Sequence, residues 1–388
     1  MINLRAEFAK KDKVSHEKLN EVFEFKNKKS PYIIMDCSYW LFGDLPERIP
    51  EDYCGDNPDV MFKFQLERIK EHYAAKEYEN DCYVGFLMPW FGTGVLASAF
   101  GTPVEFLHKM DPAVNMSTMK HPEEIDLLTM PDPNKSGLMP RVLEQIKYFK
   151  EQCDLPIGVT DCQGPLTTAL SIIGYENFIY WMYEHPDAIH KLMNMCADAL
   201  IDWVRVQKDC IGVAHEEPGY VLGLSVPKGK GGVWISDDDS VMFSSELYRD
   251  FVKPYNEKIL LALGGGGIHY CGNSNQNLDS YMNTKGLNFL HILQLDNFEP
   301  TKKVRKACME NGKVLFLGDF TPTDERLDAY IEELIGDMDP CGLIVASYIA
   351  PAIALNKGAY RENPRDYAEL GRRVVGIIEE KQKKYISV

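Results

Sequence analysis

Gly267-Ile268-His269-Tyr270-Cys271-Gly272 is a short, mostly apolar run that ends on polar residues and glycine. Before it lies a longer amphipathic stretch, capped by Ser244 or Ser245, running to about Leu263 and stopped by the glycines from Gly264 to Gly267. The pair reads as a helix feeding a strand. The same alternation recurs along the chain, with candidate strands at 32–37, 83–88, 157–161, 232–236, 267–271, 288–293, 313–317 and 342–347. Helices fill the gaps: 166–183 runs on into 186–208 with Pro186 in its first turn, Thr321-Pro322 opens one through Leu334, and Asn363-Pro364 opens the last to about Lys384. Strands alternating with helices build a parallel sheet wrapped in helices. Eight of them predict an α/β fold, a single (β/α)8 TIM barrel. An N-terminal helical extension, with its helix around Glu17 to Lys26, takes residues 1–30, and the barrel takes 31–388. A doubly wound open sheet is the rival, because periodicity does not register closure of a ring.

The composition narrows the class. Lys and Arg total 42 against 58 Asp and Glu, a net charge of −16, so nucleic acid and anionic lipid surfaces are poor partners. Met1 to Asn20 is polar with no apolar core, and no stretch is long enough to span a membrane. The ten cysteines are scattered without a C-x-x-C pair, which reads as free thiols. A cytoplasmic enzyme is the expectation.

In such barrels chemistry sits at the C-terminal ends of the strands. The expected ends carry Asp161, Asp237 to Asp239, His269 and Cys271, Asp296, Asp319 and Tyr348. Residues i and i+2 of a strand share a face, so His269 and Cys271 can converge on one point, and imidazole with thiolate suits zinc. A core histidine beside a buried cysteine is the ordinary alternative, and placement at a strand end favours the ligand pair. Asp161, Asp237 and Asp238 are the candidate acids or bases, against an ordinary reading as solvated or helix-capping carboxylates. Trp90, in Met88-Pro89-Trp90-Phe91-Gly92, could pack a planar group or simply cover a core edge. The glycines at 264–267 follow a helix and precede a strand, the reverse of a phosphate-binding loop.

Three segments carry a resemblance. Gly164-Pro165-Leu166-Thr167 running on to Tyr183-Glu184-His185-Pro186, then Ser236-Asp237-Asp238 with Ser245 and Phe251-Val252-Lys253-Pro254, then Gly267 to Gly272, resemble in order the motifs of the uroporphyrinogen-decarboxylase-like superfamily. The H-x-C-G of the third is similar to that of its corrinoid methyltransferases. The resemblance implies a barrel enzyme that moves a methyl group between a small substrate (an aryl methyl ether, amine, thiol or folate) and the cobalt of a separate corrinoid protein. No cobalamin-binding D-x-H-x-x-G occurs in the chain itself. It also implies zinc on His269 and Cys271.

Two departures stand out. The decarboxylases place an Arg-rich segment at the first strand end, where this chain has Asp36-Cys37-Ser38-Tyr39-Trp40, an acidic, aromatic mouth unsuited to an octacarboxylate. The zinc methyltransferases take a third ligand, Cys, from the eighth strand end, where this chain reads Ala346-Ser347-Tyr348. Cys341 falls at the start of that strand, away from the mouth. An oxygen donor is therefore expected, Asp319 or Asp296 ahead of Glu299 and Tyr348. Trp90, Tyr39, Tyr348 and Asp296 are the expected substrate contacts. The alternative function is a decarboxylase-like lyase, acting through Asp161 or Asp237 without metal on a substrate other than uroporphyrinogen.

Overall fold

The computed structural model describes residues 2–36, 52–75, 81–106, 111–116, 119–217, 225–293, 299–320, 326–349 and 367–386. Its centre is a six-stranded parallel sheet: β1 (Tyr32–Asp36), β2 (Val233–Ser236), β3 (Gly266–Cys271), β4 (Leu287–Leu293), β5 (Val314–Phe320) and β6 (Leu343–Ile349), in the order β1-β6-β5-β4-β3-β2. The register sets His269 opposite His291 and Cys271 opposite Leu293. Each of these six strands lies where the alternation predicts one, with no end shifted by more than three residues.

The two other expected strands, 83–88 and 157–161, do not form. Single parallel bridges join Tyr32 to Asp81, Leu87 to Ile157 and Gln163 to Ser236, so these segments close the ring between β1 and β2 without a ladder. The physical reason lies in their backbone donors, which side chains take. Tyr83 N–H goes to Asp81 Oδ1 at 2.6 Å, Gly85 N–H to Tyr73 Oη at 2.8 Å, Met88 N–H to Gln65 Oε1 at 2.9 Å and Thr160 N–H to Gln207 Oε1 at 2.8 Å. Close packing adds to this: a Cβ at Gly85 would lie 2.7 Å from the Tyr73 ring. The barrel is thus closed on one side by a helix-tethered wall.

Helices differ from expectation where local chemistry breaks them. The stretch 166–183 splits at Gly174, whose φ of 83° ends one helix (Pro165–Ile173) and opens the next (Tyr175–Glu184). The helix capped by Ser244, whose side chain accepts from Leu247 N–H at 3.3 Å, splits at Val252 ahead of Pro254 into Ser245–Phe251 and Lys253–Ala262. The N-terminal helix is longer than expected, Arg5–Phe23. It belongs to the core: the Phe23 ring meets Phe289 at 5.9 Å and Phe316 at 6.1 Å, and Phe8 stacks on Tyr73 at 3.8 Å. Phe23→Ala should cost about 3–5 kcal/mol of stability, because the cavity opens among inward-facing aromatics. A urea melt that superimposes on the wild type would exclude this anchoring role. Among the described residues no helix is long and apolar enough to cross a membrane.

Candidate functional site

His269 and Cys271 end β3 on one face. Their ligand atoms, Nε2 and Sγ, are 3.5 Å apart. Asp238 reaches the same point from the turn that follows β2, with Oδ1 3.3 Å from His269 Nε2 and 3.0 Å from the Cys271 backbone N–H, which donates to it. The three donors lie within 4.8 Å of one another, and they form the only such cluster among the described residues. A carboxylate facing an imidazolium normally closes to about 2.7–2.9 Å. The longer spacings here suit a metal better. Tetrahedral zinc bonds of about 2.0 Å to N and O and about 2.3 Å to S place N and O about 3.3 Å apart, and N and S about 3.5 Å apart. The donor set therefore fits a metal such as zinc, with His269 Nε2, Cys271 Sγ and Asp238 Oδ1 as three protein ligands.

The electrostatics agree with a tightly coupled trio. Burial pushes the Asp238 carboxyl up, but the His269 charge and the bonds from His269 and Cys271 hold it below the ordinary carboxylate value. Burial pushes His269 down, and the Asp238 and Cys271 charges hold it well above the ordinary histidine value. The Cys271 thiol is raised by burial against the pull of His269. Cys271 needs a cation to be held as thiolate, and a metal is such a cation.

Beneath the trio lies an aromatic floor. His291 stacks on His269 at 4.6 Å, and Trp234 packs on both, at 5.7 Å from His269 and 4.7 Å from His291. Burial, and next the His269 charge, keep His291 well below the ordinary histidine value, hence neutral. The floor fixes the plane of the His269 ring. Sequence reasoning missed His291, which the register sets opposite His269.

The other expected acids divide. Asp161, 5% exposed, is held at the mouth by Ser236 Oγ, which donates to Oδ1 at 3.0 Å, and by Gln163 Nε2, which donates to Oδ2 at 2.6 Å. Burial lifts its carboxyl to about 6 against the pull of Gln163, with the Asp238 charge adding to the lift and Ser236 and His269 opposing it. Asp237 is fully buried and its side chain joins the helices behind β2, accepting from Tyr248 Oη at 2.7 Å and Asn256 Nδ2 at 3.0 Å. That placement is structural. Asp239 accepts from Thr167 Oγ1 at 2.6 Å and from Tyr175 Oη.

Trp90 is 3% exposed, and its indole N–H donates to Asp111 Oδ1 at 2.7 Å, as an aromatic covering a core edge does. Tyr39 and Asp296 lie outside the described residues. Asp319 and Tyr348 are placed by backbone alone, on β5 and β6, near the strand ends that carry the mouth; their side chains are outside the described set. Cys341 precedes β6, with Sγ donating to the Phe25 carbonyl at 3.1 Å, far along the strand from the mouth.

Known proteins bear on this geometry as follows. The uroporphyrinogen decarboxylase (URO-D) family model matches residues 71–212. A methyltransferase from Methanosarcina mazei has a similar structure at 17% identity, with a TM-score of 0.65, covering 96% of this chain and 98% of that one. A GH18 chitinase from Pseudoalteromonas aurantia is 11% identical over 70% of this chain and 99% of that one, at a TM-score of 0.31, too remote to bear on the fold. No curated protein matches the sequence. The fold is thus shared with that methyltransferase along nearly the whole chain, and the segment similar to the URO-D family model overlaps the first of the motifs read from the sequence.

Proposed function

We propose that the chain is a methyltransferase that exchanges a methyl group between a small substrate and the cobalt of a separate corrinoid protein. The observation that carries this reading is the Asp238–His269–Cys271 donor set, in a barrel similar to that of a methyltransferase. The barrel from residue 31 onward is the catalytic unit, in the cytoplasm, and residues 1–30 are its N-terminal buttress. Asp319, on β5, is kept as the candidate for a further oxygen donor beside Asp238. Asp296, Tyr39 and Tyr348 are proposed substrate contacts.

Zinc held there would act as a Lewis acid on the substrate heteroatom, lowering its pKa. The chain's own groups do the rest. Cys271 Sγ and Asp238 Oδ1 bring negative charge to the site, and His269, fixed by Trp234 and His291, orients the third donor. Asp161, poised near 6, holds or releases the proton of the substrate heteroatom at one carboxyl oxygen. A carboxylate in place of a second thiolate leaves the site harder, which suits an ether or alcohol oxygen better than sulfur. Within the trio His269 is buried, while Asp238 and Cys271 are half-buried, which leaves the site open to a substrate.

The test is reconstitution. The purified protein alone should leave a methyl ether or methylamine unchanged, and addition of a cob(I)alamin-carrying corrinoid protein should start methyl transfer, read as methylcobalamin absorbance. Decarboxylation of a small acid, indifferent to corrinoid protein and to chelator, would replace this reading with the lyase one.

A further inference from the structure

Asp237-Asp238-Asp239 are three adjacent acids with three different fates, and together they describe a device. Asp237 donates its backbone N–H to the His269 carbonyl at 2.8 Å, so the main chain is stitched to β3 one residue before Asp238. Its side chain faces the other way, into the helix layer. There Tyr248 and Asn256 both donate to Oδ2, and Asn256 also donates to Tyr248 Oη at 3.1 Å, a closed triangle with no exposed member. On the far side of Asp238, the Asp239 carboxylate is gripped by Thr167 and Tyr175, from the two helices that meet at Gly174. The rest of the turn is fixed as well. Tyr281 Oη donates to Ser240 Oγ at 2.8 Å, and Asn277 Nδ2 donates to the Ser240 carbonyl at 2.8 Å.

Asp238 is left between two clamps, and its carboxylate has few ways to point. Ordering an aspartate side chain in a loop normally costs entropy at the moment of binding. Here that cost is met during folding.

We propose that Asp237 and Asp239 are positioning residues, whose clamped side chains aim the carboxylate of Asp238 at the His269–Cys271 pair. The inference rests on the metal reading above only for its first readout. Asp237 was expected from sequence to be catalytic; on this proposal it acts through its neighbour. Outer partners of metal ligands typically tune affinity by about 10–100-fold.

The test removes one hydrogen bond from each clamp, the tyrosine's, without touching a ligand. Tyr248→Phe with Tyr175→Phe should weaken zinc binding by about 10–100-fold, measured by competition with a chromophoric chelator. Asp237→Asn, which keeps an acceptor for Tyr248 and Asn256, should stay near the wild-type affinity. The second readout needs no metal. At fixed pH, the His269 ring-nitrogen and ring-proton NMR signals report its contact with Asp238, and the double variant should lose the shift that this contact produces.

A folded double variant with unchanged zinc affinity and unchanged His269 signals overturns the proposal. A wild-type protein that binds no zinc, but whose His269 signals move in the double variant, leaves the positioning intact and sinks the metal reading. Should the double variant not fold, the single Tyr175→Phe, on the more exposed side, must by itself shift the His269 signals, and no shift there refutes the Asp239 clamp.

Discussion

Cys271→Ala should purify without zinc and lose methyl transfer by about 1,000-fold or more, equivalent to roughly 4 kcal/mol of transition-state stabilisation. The thiol supplies the soft donor of the trio, 3.5 Å from His269 Nε2. Without it, a neutral imidazole and one carboxylate remain, a pair that holds zinc weakly against water and chelator. Loss of affinity and loss of activity should therefore go together, and added zinc should restore part of both. Cys341→Ala is the matched control. Its sulfur bonds to the Phe25 carbonyl below the barrel, and its removal should leave zinc content and turnover unchanged. Elemental analysis of the two variants beside the wild type decides the matter. A Cys271→Ala protein with full activity would mean that the trio is not the reaction centre.

The parts of this site that were legible in the sequence are those governed by strand periodicity. His269 and Cys271 sit two apart in a run that is otherwise apolar, and alternation alone brings them to one face. Six strands were legible for the same reason. The segments at 83–88 and 157–161 carry strand-like composition, yet their backbone donors are taken by Asp81, Tyr73, Gln65 and Gln207. Residues as far away in sequence as Gln207 leave no local trace of that role. Asp238 was visible as one of three adjacent acids, but which of the three turns into the mouth depends on the short 3-10 turn after β2 and on the clamps around it. A run of identical residues has no periodicity to break the tie. The floor under His269 was missed for a different reason: His291 is embedded in an apolar strand and reads as core, which it also is.

Asp161→Asn should make the protein more stable at neutral pH and much less active. The wild-type carboxyl is raised from 3.8 to about 6, burial being the largest cause. An acid whose folded value lies above its unfolded value pays for ionisation in the folded state. Below about pH 4 both states are protonated and there is no penalty; it grows between pH 4 and 6 and is complete above. Two units correspond to about 3 kcal/mol as an upper bound, at about 1.4 kcal/mol per unit. Asparagine removes that charge and can keep both neighbours, with its oxygen accepting from Gln163 and its amide donating to Ser236, whose hydroxyl can rotate to accept. Chemical melts at pH 4 and pH 8 should therefore show the variant gaining stability over wild type mainly at pH 8. Its turnover should fall by about 100- to 10,000-fold, the usual range for loss of a general acid or base. The wild-type rate should bend near pH 6 and the variant's should not. Equal stabilisation at both pH values would show that Asp161 is not ionising in a buried site. A retained rate with a retained bend would take the proton-transfer role away from it, even with the stability change in place.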